Sequence, residues 1–117
     1  MTDAATELSA EDKKLVTLAR ATRARVGAAE GAAVRDADGR TYAAATVDLP
    51  SLQVSAVQVC VAMAVASGTR GLEAAVLLSE AEEPTAPDLA ALGDLGGSGV
   101  VVHVADPRGT VRATLRT

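Results

Sequence analysis

Small and apolar residues recur at helical spacing from Ser9 to about Val26, where Leu15, Leu18, Ala19 and Thr22 share one face. Ser9 is placed to cap this helix, Glu11 and Asp12 fall in its first turn, and arginines gather toward its end, as the helix dipole favours. Arg20, Arg23 and Arg25 read as a solvated face and are given no function. The pattern then changes to two short β-capable segments flanking Asp36-Ala37-Asp38-Gly39, a turn sequence that predicts a β-hairpin. Asp36 and Asp38 resemble the start of a calcium loop, but the glutamate such a loop requires downstream is missing, and the plain turn is preferred.

After Leu49-Pro50, Ser51 opens a segment from Leu52 to Ser67 that is almost continuously apolar and stops at Gly68. Its valines lower helix propensity, but its length favours a helix over a single strand. A helix apolar around most of its circumference is wrapped by other structure, either a sheet on one side or a second subunit on the other. Leu72 to Ser79 reads as a buried strand, Glu80 to Pro87 as an acidic loop, and Asp88 to Leu95 as a brief helix. Val100 to Asp106 is the strongest strand signal, followed by a turn at Asp106-Pro107-Arg108-Gly109 and an extended stretch from Thr110 to Leu115. The order α-β-β-α-β-α-β-β predicts a three-layer α/β/α domain around a mixed five-stranded sheet.

Composition narrows the function classes. The chain has 117 residues, 49% of them hydrophobic and 22% charged, which fits one globular domain over residues 1–117, with the first eight or so expected to be mobile. A single cysteine excludes an intrachain disulfide and a multi-cysteine metal site, and suits a reducing compartment. A net charge of −4, with Tyr42 the only aromatic ring besides His103, argues against nucleic acid as a partner. Met1 to Ala10 is short and polar, with no signal-peptide character, so a cytoplasmic location is expected. The longest apolar run, Val54 to Ala66, is well short of the roughly 20 residues a bilayer demands, so no membrane partner is expected.

Four segments together resemble the cytidine deaminase family: GAAVRDADGRTYAAATVD (31–48), SAVQVCVAMAVASG (55–68), EAAVLLSEAEEPTAP (73–87) and VVVHVADPRGTVRATL (100–115). In that family the hairpin ends in an Asn-Val-Glu-like sequence that holds the nucleoside sugar; here it ends in Thr46-Val47-Asp48, which makes Thr46 and Asp48 the candidate substrate-binding residues. The resemblance implies zinc held by a His/Cys/Cys or Cys₃ set, with a nearby glutamate moving protons on a C-x-E-type helix start. The positions that match this machinery carry Ser55, Val57, Asp88 and Ala91, so no catalytic residue and no metal ligand is expected, and the cofactor the family uses has lost its donors. A register shifted by two residues, offering Val57-Gln58-Val59, is no better. Aromatics that pack on base and sugar in the family are also replaced, around Arg25-Val26-Gly27-Ala28 and at Leu52.

Other residues do not rebuild a site from sequence alone. Cys60 is expected to be a core thiol and His103 a strand histidine, while Ser55 has no histidine positioned to activate it. The favoured expectation is an oligomeric binding or scaffold protein without catalysis. The alternatives are a surviving deaminase or other hydrolase, marked by convergence of Asp48, Ser55, Asp88 or His103, and a nucleoside sensor. The resemblance implies a homotetramer that packs motif-bearing helices together. A homodimer or homotetramer is expected, with Ala56, Cys60, Met63, Ala64 and Ser67 small or adaptable enough for close helix approach.

Overall fold

The computed structural model describes residues 8–117. The expectation for the first eight residues falls, but for Leu8, outside that range. Helix α1 spans Ala10–Val26; the Ser9 side chain accepts the Asp12 amide at 3.0 Å, and Gly27 closes the other end in the left-handed conformation at φ 72°. Strands β1 (Gly31–Asp36) and β2 (Thr41–Ala45) form the expected antiparallel hairpin, with Gly39 at φ 89° in its turn. A small separate hairpin follows, β3 (Val47–Leu49) paired with β4 (Leu52–Val54). Then come helix α2 (Ala56–Ala66), strand β5 (Leu72–Leu78), helix α3 (Ala86–Gly96) and strands β6 (Val101–Ala105) and β7 (Val111–Arg116).

One expectation is corrected here. Residues 52–54 are strand, not the start of a helix, and α2 begins only after Ser55. The physical reason is a capping box: the Ser55 oxygen accepts the Gln58 amide at 3.1 Å, and the Ser55 amide reaches back to Gln58 Oε1 at 3.4 Å. That pair fixes the helix start inside an apolar run whose hydrophobicity alone marks no boundary.

The five long strands form one mixed sheet in the order β2-β1-β5-β6-β7, all antiparallel neighbours except the parallel pair β5-β6. A parallel pair needs a crossover, and α3 supplies it. Alternation along the strands sends Ala33, Ala74, Val76, Leu78 and Ala105 to one face, where Leu15, Val16 and Ala19 of α1 cover them. Ala32, Val34, Ala75, Leu77 and Val102 point to the other face, against Ala56, Val57 and Cys60 of α2 and Leu92 of α3. The three-layer α/β/α arrangement follows from a central strand, β5, that is apolar on both sides. Contact between α1 and β1 is close at Gly31, where an added Cβ would lie 2.5 Å from the Ala19 carbonyl oxygen, so only glycine fits.

Register also decides which loops meet. Gly31 pairs with both Ala45 and Leu78, so the residues just outside that row, Glu30, Thr46 and the loop after β5, gather at one end of the sheet. The helix starts of α2 and α3 stand at the same end, and a concavity forms between Glu30, the β3–β4 hairpin and the start of α2.

Candidate functional site

The concavity is an open cleft of about 580 Å³ lined by Glu30, Thr46, Val47, Asp48, Gln53, Val54 and Ser55. Thr46 is placed by the end of the hairpin: its hydroxyl oxygen accepts the Glu30 amide at 2.9 Å, tying the chain before β1 to the chain after β2. Asp48 stands exposed on β3.

Beneath the cleft, two helix starts meet through their side chains. Ser55 donates its hydroxyl proton to Asp88 Oδ1 across 2.6 Å. Asp88 lies in the first turn of α3, where its own amide donates to the Thr85 cap at 3.3 Å, and its side chain is only 1% exposed. A hydrogen bond to a charged group of this kind contributes about 1.5–3 kcal/mol. The second carboxylate oxygen, Oδ2, has no hydrogen-bond partner among the described residues.

Glu30 joins this group and was not anticipated from sequence. Burial pushes its carboxyl up from the ordinary value and the negative charge of Asp88 adds to the rise, while the Ala56 amide opposes it. The available sequence signal was a charged residue set directly against the small-residue strand Gly31-Ala32-Ala33, where an isolated acid must face either solvent or a cleft.

The other candidate residues sit apart. Val57 is buried in the core at 1% exposure, and Ala91 lies on α3 beside Val61, Val65, Asp94 and Leu95. Cys60 is fully buried with its thiol pointed at the Tyr42 carbonyl at 3.6 Å, and burial pushes it up to about 12, so it is an inert core thiol. His103 faces the opposite side of the sheet, between Asp12 of α1, 2.8 Å from Nε2, and Thr114 of β7, 2.9 Å from Nδ1. Of the four residues whose convergence would mark another hydrolase, Ser55 and Asp88 meet, Asp48 shares their cleft, and His103 does not join them.

This architecture has known counterparts. The cytidine deaminase-like family model matches residues 8–109. The chain belongs to that family. The crystal structure of cytidine deaminase from Burkholderia pseudomallei is similar with a TM-score of 0.75 at 23% identity, covering 98% of this chain and 92% of that one. Cytidine deaminase from Mycobacterium leprae gives 0.69 at 22% identity over 89% and 93% of the two chains, and that from Bacillus anthracis gives 0.67 at 12% identity over 92% and 84%. At such identities the likeness concerns the fold. No curated protein matches the sequence closely enough to count as a relative.

Family membership raises the question of zinc, and the donors present do not fit it. At the matching helix starts stand a hydroxyl and a carboxylate already bonded to one another, and the third position, Ala91, has no donor atom. No group of three or more His, Cys, Asp or Glu side chains among the described residues is arranged to hold a metal ion. Zinc prefers thiolate and imidazole ligands in a tetrahedral set, and neither Cys60 nor His103 reaches this place. No helix among the described residues is long and apolar enough to cross a membrane.

Proposed function

We propose that this protein is a cytidine deaminase-like fold that has given up zinc and hydrolysis and works as a non-catalytic, oligomeric binding or scaffold protein of the cytoplasm. The supporting observation is the Ser55–Asp88 bond. It consumes the serine proton and one carboxylate oxygen at the place where metal ligands would be needed, while Val57 offers no group to move a proton. Water activation near neutral pH depends on a metal that lowers the pKa of its bound water, and that support is missing from the side chains. The test is metal content of the purified chain, measured together with conversion of cytidine to uridine. Neither stoichiometric zinc nor turnover is expected, and either one overturns the reading.

Self-association is supported by α2, which carries no charged residue over Ala56–Ala66 and leaves Val65 55% exposed and Ala62 and Ala66 uncovered. Such a face is stabilised by meeting another copy of itself. We propose a homodimer or homotetramer built on this helix, and light scattering at micromolar concentration is expected to give a mass above that of the monomer.

One observation favours a second reading, a nucleoside sensor. The cleft stays open and polar, with Glu30, Thr46, Asp48 and Gln53 lining it to hydrogen-bond a sugar or base. A ligand selective for the native state raises its apparent stability, so thermal shifts with cytidine, deoxycytidine and uridine separate sensing from scaffolding. A nucleoside-specific rise supports sensing, and no rise at millimolar ligand eliminates it.

A further inference from the structure

We propose that the Ser55–Asp88 hydrogen bond is a metal-free clasp that joins the N-termini of α2 and α3, taking over the cross-linking role of a metal centre. The inference rests on the reading above that zinc is not held.

Three observations lead to it. The two residues belong to different helices, 33 positions apart in sequence, and no other side-chain hydrogen bond among the described residues joins α2 to α3. Ser55 bonds in both directions, since its oxygen accepts the Gln58 amide at 3.1 Å while its proton goes to Asp88, so one side chain both caps α2 and reaches α3. Asp88 is 1% exposed, no cationic side chain among the described residues pairs with it, and its Oδ2 has no hydrogen-bond partner there, so the Ser55 hydroxyl is the one donor its carboxyl meets among the described residues.

Asp88 stands in the first turn of α3, and the hydroxyl it accepts belongs to the N-cap residue of α2, so one hydrogen bond spans two helix starts. The bonded hydroxyl and carboxyl occupy positions where the resemblance places metal ligands, and the bond ties the same two elements that shared ligands would tie.

The experiment is a double-mutant cycle on the full chain, read by thermal unfolding with and without chelator and with added zinc. Ser55→Ala and Asp88→Ala are each expected to lower Tm by about 5–10 °C, and the double variant to fall no more than about 2 °C below the worse single one. Ser55→Thr, which keeps the hydroxyl, is expected to restore most of the loss. Chelator and zinc are expected to leave wild-type Tm unchanged. Additive losses overturn the clasp, and so does a zinc-dependent rise that disappears in Asp88→Ala. If the alanine variants do not fold, hydrogen exchange in Asp88→Asn decides: faster exchange in the first turns of both α2 and α3 supports the clasp, and a change confined to α3 overturns it. Stoichiometric zinc in the wild type overturns both the proposed function and the clasp, whereas additive losses in a zinc-free chain overturn the clasp alone.

Discussion

The two faces of the sheet hold their carboxylates by different chemistry. On the α1 face, Asp12 meets the Arg35 guanidinium, with Nη1 at 3.0 Å, and the His103 ring, with Nε2 at 2.8 Å, while Glu73 completes the row 2.8 Å from Arg35 Nε. On the α2/α3 face, Asp88 and Asp36 are buried: among the described residues Asp88 accepts the Ser55 hydroxyl alone, and Asp36 is held mainly by hydroxyls and amides. Asp36 accepts the Thr69 hydroxyl at 2.6 Å, the Tyr42 hydroxyl at 2.9 Å and the amides of Asp38 and Arg40 at 2.9 Å each, with only the exposed Arg40 guanidinium nearby, 3.4 Å away. The difference teaches where each face is vulnerable. Ion pairs at a partly solvated rim respond to salt and pH, whereas a buried carboxylate surrounded by neutral donors responds to loss of any one of them.

The largest effect is therefore expected at Asp36. Asp36→Ala removes the shared acceptor of two hydroxyls and two turn amides, of which only the Tyr42–Thr69 hydroxyl pair, 3.0 Å apart, can satisfy one donor internally, and is expected to cost about 3 kcal/mol, read from the midpoint of urea unfolding. Asp12→Ala, which breaks the tie between α1 and the sheet, is expected to cost less, about 1–2 kcal/mol, because the Arg35 head remains paired with Glu73. A smaller loss at Asp36 than at Asp12 would reverse the comparison.

Acid sharpens the same contrast. Burial alone would raise the Asp36 carboxyl, but the Thr69 hydroxyl, the Arg40 amide and the Tyr42 hydroxyl together hold it down to about 2. Asp12 is likewise raised by burial and lowered further by His103 and Arg35, with a net fall. Carboxyls depressed in the folded state stabilise it above their unfolded pKa, and that stability is lost as pH falls through the folded value. Tm is thus expected to drop as pH falls from 3.8, the ordinary value, toward about 2, and Asp36→Asn is expected to flatten that limb. Glu30 has the opposite sign. Its carboxyl is raised, so its charged form opposes folding; solvent in the open cleft screens much of that penalty. Glu30→Gln is expected to stabilise the chain by a few tenths of a kcal/mol at about pH 7 and by nothing below about pH 4.

These sites differ in how far the sequence exposes them. Ser9, Gly27 and the Asp36-Ala37-Asp38-Gly39 turn announce α1 and the first hairpin because caps and turns are local and need particular residues at particular backbone angles. The boundary at Ser55 was also written locally, as Ser-x-x-Gln, but it lay inside an apolar run from Leu52 onward that masked the β3–β4 hairpin. Long-range pairs leave no such mark. His103 reaches Asp12 across 91 positions and Ser55 reaches Asp88 across 33, and no periodicity in the chain encodes either distance. The family resemblance brought Ser55 and Asp88 to attention as replaced ligands, yet only the fold shows that they bond to each other and that Glu30 joins them.

The smallest effect on stability is expected on the outer surface of α2, where the comparison between faces reaches solvent. Val65 is 55% exposed in the last turn of a helix that carries no charge, so Val65→Lys removes apolar contact without opening a cavity. A lysine in that turn also lies near the negative end of the helix dipole, which favours it. Stability of the isolated subunit should therefore change by less than about 0.5 kcal/mol, as is usual for an exposed site. If α2 is where subunits meet, the same substitution places charges against one another across a symmetric contact and shifts the chain to monomer in light scattering. A Val65→Lys chain that keeps both its stability and its assembled mass would move the contact away from α2.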